Sequence, residues 1–220
     1  MTLLTLLLAA ATGTAAVQPR VDAVLQAFDV TIVQKRLAQM VELDQYARKF
    51  DGTTARGSFN AAEDQYFSSQ MGQRWNAIDT ANTNEIKALI KRHGWFKISA
   101  FGGEADGNAW LLVQHADLDP DFQKEVLMLL EPLVAQGETN KQNFAFLHDR
   151  VNLSASDPSK QRPQRYGTQG HCIGKGQWEP HPVEDPKNLE ARRANVGLST
   201  MAEYVKLFKD ICRRDERQKN

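Results

Sequence analysis

The sequence predicts a mostly α fold, a single-domain helical bundle of five to seven helices with a small irregular β-hairpin insertion. Apolar residues recur at helical spacing over most of the chain, and residues typical of helix caps stand at the ends of those stretches. One region, 151–186, is rich in proline and glycine and has no helical period. The 220 residues are 41% hydrophobic, enough for one packed core, so we expect one domain over 17–220.

The first residues predict a signal peptide over 1–16. Residues 3–11 are almost entirely leucine and alanine, and Thr14 and Ala16 occupy the small-residue positions of a cleavage site. Because no lysine or arginine precedes the apolar run, an uncleaved anchor and an ordinary first helix remain alternatives. Cleavage predicts a periplasmic or secreted protein with no stable membrane insertion, and it leaves the oligomeric state open.

Region 17–92 is predicted to hold the N-terminal helices. From Val21 to about Phe50 the apolar residues recur every three or four positions with charges between them, which predicts one long amphipathic helix. The polar, glycine-containing stretch 51–58 ends this helix. A short helix containing Tyr66 is expected to follow.

A further helix is predicted over residues 84–93. Asn82 or Thr83 is the expected N-cap, and Gly94 stands just past the last turn, where a left-handed residue closes many helices. The next stretch, 99–107, contains three glycines and two acids. It is interpreted either as a loop or as a helix start whose backbone approaches a neighbour closely.

The most regular pattern lies in the middle of the chain. Residues 109–115 are predicted to form a buried helical segment. The Asp-Pro pair at 119–120 then predicts the start of an amphipathic helix that ends before Gly137. Asn140 is the expected cap of the next helix, which ends near Arg150.

Within the irregular region 151–186, two segments have the composition of short strands. We expect 165–168 and 178–183 to pair as a hairpin around the glycines of 174–176, although five prolines limit its regularity.

The chain is predicted to close with two helices, the second beginning with a capping box of Thr200 and Glu203. The two cysteines, Cys172 and Cys212, make an even count in a chain expected to be exported, so a disulfide between them is one prediction. Two buried thiols that never meet are the alternative.

Composition argues against several functional classes. Lysine plus arginine and aspartate plus glutamate both number 27, so no strong field attracts nucleic acid, and we expect no nucleic-acid partner. The sequence has no glycine-rich phosphate cradle and no nucleophile elbow. The five histidines lack metal-ligand spacing, so neither a metal nor any other cofactor is expected.

His115 and Asp117 are the candidate catalytic pair. A histidine beside a carboxylate suits general acid or base catalysis, because the carboxylate fixes the tautomer of the ring. Residues two apart cooperate only if the helix stops between them. Gln114 is then a candidate substrate contact. Alternatively, Gln114 and His115 satisfy backbone groups at a helix end while Asp117 caps a turn.

Asp149 is the third candidate catalytic residue, as the orienting carboxylate of His115 in place of Asp117. Arg150 and Arg193 are candidate substrate-binding residues, because a guanidinium fork suits a carboxylate or phosphate. Arg150 also has a structural explanation, since the helix dipole favours a cation in the last turn.

The loop residues Tyr166, Thr168 and Gln169 are further candidates for substrate binding. They bring two hydroxyls and an amide together in a loop, and loops carrying such groups commonly orient ligands. The alternative is that Tyr166 anchors the hairpin to the helices.

An ordered series of motifs runs through residues 93–204. It comprises His93-Gly94-Trp95, Trp110 with Gln114-His115-Ala116-Asp117, Asp149-Arg150-Val151, Tyr166-Gly167-Thr168-Gln169, Asp185-Pro186, and Arg192-Arg193 with Gly197-Leu198. Together the motifs resemble a bacterial family of domains of unknown function. The resemblance implies that the polar candidates belong to the family pattern, and it implies no activity. Phe96, in place of an expected proline, and the elaborated stretch 171–178 depart from that pattern.

Three functional hypotheses follow from the residues. The first is a secreted or periplasmic hydrolase or transferase that uses His115 as acid or base and the arginines to hold an anionic substrate. The second is a non-catalytic module that binds a small anionic or cell-envelope ligand. The third is a purely structural polar network that joins the irregular region to the helices.

Overall fold

The computed structural model describes residues 10–50, 56–154, 159, 161–174 and 176–213. Within them the chain forms seven α-helices and a two-stranded antiparallel sheet, which confirms the predicted helical bundle with a small β-hairpin. The helices are α1 (Ala10–Lys49), α2 (Ala61–His93), α3 (Ile98–Gln114), α4 (Pro120–Ala135), α5 (Lys141–Leu153), α6 (Leu189–Asn195) and α7 (Met201–Lys206). The strands are β1 (Gly170–Gly174) and β2 (Gln177–Pro180).

The first helix begins earlier than predicted, because α1 continues back through Pro19 to Ala10. Residues 1–9 of the predicted signal peptide lie outside the described residues, and its residues 10–16 form the start of α1. Residues 51–55 of the predicted break also lie outside them. None of the described helices is both long enough and apolar enough to cross a membrane.

The main core lies between α1, α2, α3, α4 and α5. Among the side chains of α1 that the structure describes, Val33, Leu37 and Met40 are buried in this core, and they succeed one another at helical steps of four and three. Leu112 of α3 and Leu130 of α4 are fully buried beside them. Each such side chain contributes about 1.5–3 kcal/mol of burial free energy, so this cluster fixes how the five helices pack.

The prediction of two separate helices, one containing Tyr66 and one over 84–93, is wrong, because α2 runs without a break from Ala61 to His93. Its N-cap is Asn60, in a capping box with Glu63, rather than Asn82 or Thr83. Asn82 and Thr83 are instead buried in the interior of the helix. Residues that favour caps lose that preference where packing against neighbouring helices outweighs it.

The glycine-rich stretch 99–107 is a helix start, one of the two predicted alternatives. It belongs to α3, but Gly102 has φ 79° and ψ 159°, which breaks the helical path. The side-chain amide of Gln34 donates to the carbonyl oxygen of Phe101 at 2.7 Å, next to the break. Glycine is needed here because this backbone conformation is unfavourable for other residues.

The hairpin forms, but its predicted first strand is wrong. The paired segments are β1 and β2, in the register Gly170 opposite Pro180 and Cys172 opposite Trp178. Residues 165–168 do not pair as a strand, and the backbone N–H groups of Arg165, Tyr166 and Thr168 donate to Asp149 instead. Lys175, within the predicted turn, lies outside the described residues.

The C-terminal segment packs on the hairpin and is linked to it. The predicted capping box of Thr200 and Glu203 is present at the start of α7. Trp178 of β2 stacks on Phe208, with ring centroids 4.5 Å apart. Cys172 and Cys212 form a disulfide bond, which confirms that pairing.

Candidate functional site

The turn between α3 and α4 carries the candidate catalytic pair, His115 and Asp117. α3 ends at Gln114, and His115 has a non-helical backbone with φ −93° and ψ 2°. Asp119 starts α4 by accepting a hydrogen bond from the Phe122 N–H at 3.1 Å. The helix therefore ends just before His115, and the side chains of His115 and Asp117 contact different helices, α1 and α5 respectively.

The carboxylate that contacts His115 is Asp44 of α1. The Nδ1 atom of His115 lies 3.0 and 2.9 Å from the two carboxylate oxygens of Asp44, whose side chain is 1% exposed. Nε2 of His115 has no hydrogen-bond partner within the described residues, and it is not among the buried unpartnered atoms. This geometry leaves Nε2 facing solvent, while Asp44 fixes the orientation of the ring.

Arg48 and Asp79 extend this contact into a charged cluster. The Arg48 guanidinium donates to Asp79 at 2.6 Å, and its Nε atom lies 3.2 Å from Asp44 and 3.1 Å from Nδ1 of His115. Burial opposes ionisation of Asp44, yet hydrogen bonds from His115 and Gln45 and the nearby positive charges hold its pKa below the ordinary value. Burial raises the pKa of Asp79, against the opposing effect of Arg48. Asp44 is therefore the carboxylate of the cluster that stays ionised to lower pH.

Asp117 and Arg150 meet on the other side of the turn. Nη1 of Arg150 donates to both oxygens of Asp117, at 2.7 and 2.8 Å. The side-chain amide of Gln123 donates to Asp117 at 3.2 Å and to the carbonyl oxygens of Val113 and Gln114 at 3.1 and 3.3 Å. Gln123 thus links α4 to the end of α3 and helps to orient Asp117.

An open cleft of about 320 Å³ lies over this ion pair. We call it the Arg150 cleft, and its polar lining consists of Asp117, Gln123, Arg150, Ser154, Gln169 and His181. These residues come from the α3–α4 turn, α4, α5 and its C-cap, the loop before β1 and the segment after β2. The fold therefore brings five separate parts of the chain to one polar depression.

Several polar atoms of the cleft residues have no partner within the described part of the chain. Nε of Arg150 and Oε1 of Gln123 are both buried and unpaired. Nη2 of Arg150 makes no hydrogen bond and is not among the buried atoms, so solvent reaches it. A buried polar atom without a partner costs about 1–3 kcal/mol, which makes these two atoms unusual.

Asp149 lies in a different, closed environment and is 0% exposed. Its carboxylate accepts hydrogen bonds from the backbone N–H groups of Arg165, Tyr166 and Thr168 and from the Thr168 hydroxyl, at 2.8–3.2 Å. No contact with His115 is found among the described residues. Asp149 thus binds the loop before β1 to α5.

Arg193 is also fully buried, against the other side of this loop. It donates to the carbonyl oxygens of Ser199 and Tyr166, at 2.7 and 2.6 Å, and its guanidinium lies 4.9 Å from the centre of the Tyr204 ring. Burial raises the pKa of Tyr204 to about 12, despite the nearby positive charge. We call Asp149, Tyr166, Thr168 and Arg193 the Asp149 network.

The sequence-predicted candidates therefore fall into three groups. Asp117, Arg150 and Gln169 share the Arg150 cleft, and the carbonyl of Gln114 accepts a hydrogen bond from a residue that lines it. His115 lies against α1. The remaining candidates are Asp149, Tyr166, Thr168 and Arg193, all buried in one network.

Sequence reasoning missed Asp44, Arg48, Gln123 and His181. Asp44 had a detectable signal, because it continues the buried helical series of Leu37 and Met40 by a further step of four. A carboxylate at a core-facing position needs a partner, and here the partner is His115. His181 had no such signal, since it follows an irregular strand.

Among the described residues, no group of three or more histidine, cysteine, aspartate or glutamate side chains is arranged to hold a metal ion. No curated protein matches the chain. No solved structure matches it either. The model of one protein family, a family of unknown function designated DUF6624, matches residues 31–214. The match covers most of the 220 residues, and the chain therefore belongs to this family of unknown function.

Proposed function

We propose that this protein binds a small polar molecule in the Arg150 cleft, where Arg150 contacts an anionic group of the ligand. One observation carries the proposal: Asp117, Arg150 and Gln169 come from three distant segments and line a single open cleft. The free Nη2 atom of Arg150 gives an anionic group a donor that needs no rearrangement of the fold.

The lining of the cleft suits orientation of a ligand as well as attraction. Ser154, Gln169 and His181 add donors and acceptors around the guanidinium. The volume of about 320 Å³ is near the lower end of the roughly 300–1,000 Å³ typical of ligand pockets, which favours a metabolite-sized molecule over a polymer.

The proposal places the binding event in the periplasm or outside the cell. The disulfide between Cys172 and Cys212 supports this, because such bonds form and persist in oxidising compartments. The signal peptide predicted over 1–16 is the expected route. Mass spectrometry of the exported protein tests it, and an N-terminus at Val17 is the expected result.

The binding proposal is tested by NMR titration of the full mature chain. The probes are free amino acids, their N-acetyl and amide derivatives, acetate and inorganic phosphate. We expect saturable amide shifts around Asp117, Arg150 and Gln169 with at least one probe, and their loss in Arg150→Gln. Arg36→Gln is the matched control, because Arg36 also pairs with a carboxylate, Glu85, but on the exposed faces of α1 and α2.

Two results contradict the proposal. One is that no probe causes saturable shifts at the cleft. The other is that a probe binds equally well to Arg150→Gln and to the wild type.

A second candidate function is a hydrolase or transferase in which His115 acts as acid or base. The observation that favours it is the contact of His115 with the buried Asp44, which leaves Nε2 open to solvent. A histidine with a carboxylate on one ring nitrogen and a free second nitrogen is suited to general acid–base catalysis. Here Asp44 takes the orienting role that the sequence suggested for Asp117 or Asp149.

The catalytic candidate is tested with chromogenic esters, phosphate esters and glycosides. If one of them is hydrolysed, His115→Gln and Asp44→Asn should each reduce kcat about 10²- to 10⁴-fold, the usual contribution of general acid–base catalysis. His171→Gln is the control, since His171 lies near the carboxylate of Glu179 on the exposed hairpin. Activity that survives His115→Gln removes this candidate.

A further inference from the structure

The charged groups of the Arg150 cleft are already paired with each other. Asp117 and Arg150 form a contact ion pair at 2.7 and 2.8 Å, so their charges sum to zero at the floor of the cleft. A ligand that carries only a negative charge gains attraction from Arg150 and repulsion from Asp117 at nearly the same distance. Binding of a simple anion is therefore poorly favoured by this pair.

Both members of the pair nevertheless keep an open side. The Asp117 side chain is 60% exposed, and its Oδ2 atom accepts a hydrogen bond from Arg150 alone within the described residues. Arg150 is 29% exposed and uses only Nη1 on Asp117, which leaves Nη2 open to solvent. An open carboxylate edge thus stands beside an open guanidinium edge.

A ligand with a cationic and an anionic group a few bonds apart matches these two edges. Its ammonium group would donate to Asp117 while its carboxylate accepts from Arg150, giving four alternating charges without breaking the existing ion pair. Each ligand charge is then closest to its opposite, so both contacts are attractive.

Gln123 gives independent support for a ligand that brings both donors and acceptors. It lines the cleft, is 1% exposed, and its Oε1 atom has no partner, while its amide nitrogen is fully engaged by Asp117 and two carbonyl oxygens. The unmet acceptor on Gln123 and the unmet donor Nε on Arg150 are of opposite hydrogen-bonding type. A simple carboxylate such as acetate has no donor to offer Gln123.

We propose that the natural ligand of the Arg150 cleft is a small zwitterion of the α-amino-acid type, with its ammonium group on Asp117 and its carboxylate on Arg150. This inference rests on the proposed binding function and specifies its ligand class. The size of the cleft, about 320 Å³, suits a free amino acid or the end of a short peptide.

Isothermal titration calorimetry of the full mature chain tests the inference. Each standard amino acid is compared with its N-acetyl derivative, which lacks the ammonium charge, and with its amide, which lacks the carboxylate. For the best-binding amino acid, we expect both derivatives to bind about ten- to a hundredfold more weakly, as for loss of one charge-assisted hydrogen bond.

Variants of the ion pair extend the test, because each should change the preference for the free amino acid over its N-acetyl derivative in a defined direction. Asp117→Asn should weaken binding of the free amino acid and improve binding of the N-acetyl derivative, since the repulsive carboxylate is gone. Arg150→Gln should abolish binding of both. Arg36→Gln, which removes an exposed ion pair with Glu85 outside the cleft lining, should keep the preference for the zwitterion.

The outcomes separate this inference from the proposed function. One outcome is that an N-acetyl derivative or phosphate binds as tightly as any amino acid and still depends on Arg150. That result overturns the proposal of a zwitterionic ligand and leaves the binding function intact. Absence of binding by every amino acid also overturns the zwitterion. Absence of binding by every probe, anions included, removes the binding function as well.

Discussion

At the scale of single residues, buried aspartates take different roles because their partners differ. Asp106, Asp149 and Asp44 are all at most 1% exposed. Asp106 accepts hydrogen bonds from the Trp95 indole and the Thr139 hydroxyl, both at 2.7 Å, and Asp149 accepts backbone donors of a loop. Asp44 contacts a partly exposed histidine instead. A partly exposed histidine, His148, also lies near Asp149, at 3.5 Å, but the contact of His115 with Asp44 is shorter, at 2.9 Å.

Replacement of Asp149 tests whether the Asp149 network is structural. In Asp149→Asn an amide N–H₂ group faces buried backbone donors, so we expect the free energy of unfolding to fall by about 3 kcal/mol. Urea denaturation measures it, with the exposed Asp210→Asn as control. A loss no larger than that of the control would show that the loop is held by other contacts.

Asp44 predicts a specific pH dependence of stability. Its pKa is lowered in the folded state, so its contribution is present above the unfolded value of 3.8 and is lost as the pH falls through the folded value. The stability difference between wild type and Asp44→Asn should shrink as the pH falls below about 4. Urea denaturation across this range measures the difference. A difference that grows on acidification contradicts the assigned direction.

At the scale of elements, the two strands of the hairpin approach each other closely at Gly170, and the hairpin forms one wall of the cleft. Gly170 of β1 lines the cleft and faces β2 with no room for a side chain. A Cβ atom there would lie 2.1 Å from the carbonyl oxygen of Glu179 and 2.3 Å from the Trp178 ring. The close approach of the two strands therefore depends on glycine at this position.

Gly170→Ala should destabilise the protein by roughly 3 kcal/mol, because the clash is with backbone and a packed ring that cannot move easily. Gly107→Ala is the control: it lies within α3, nothing is within 4 Å of its added Cβ, and alanine favours the helix by about 0.5–1 kcal/mol. Thermal unfolding followed by circular dichroism compares them. Equal melting temperatures would contradict the tight strand pairing.

At the scale of the whole molecule, the irregular region is held by contacts distant in sequence. Asp149 joins it to α5, and the disulfide joins β1 to the C-terminal segment across 40 residues. The stack of Trp178 on Phe208 lies in the same contact. The β1–β2 hairpin and the side chain of Gln164 hold this region together internally, and these links to α5 and to the C-terminal segment fix its position on the helices and with it the wall of the cleft.

Loss of the disulfide should lower the free energy of unfolding by about 2–4 kcal/mol, the range typical of bridges that close loops of this length. The double variant Cys172→Ala, Cys212→Ala measures the loss in urea denaturation. A reducing agent should bring the wild type to the stability of the variant and leave the variant unchanged. A variant that responds to the reducing agent contradicts this explanation.

Local sequence patterns determined the helices, most of their ends and the place of the irregular region. Asp119, Asn140 and Thr200 act as the predicted caps, because capping needs only residues within one turn. Because local patterns carry no information about distant residues, the predictions for α2 and for the first strand of the hairpin were wrong. Asn82 and Thr83 were buried by neighbouring helices, and the expected strand at 165–168 was drawn to Asp149 instead.

The tertiary structure alone decided which polar residues meet. His115 contacts Asp44 across 71 residues of sequence, and Arg150 contacts Asp117 across 33. The sequence identified His115, Asp117 and Arg150 as residues able to do chemistry, since that depends on residue type. Their partners depend on how the helices pack, and this is set by the sum of many weak apolar contacts that no local pattern specifies.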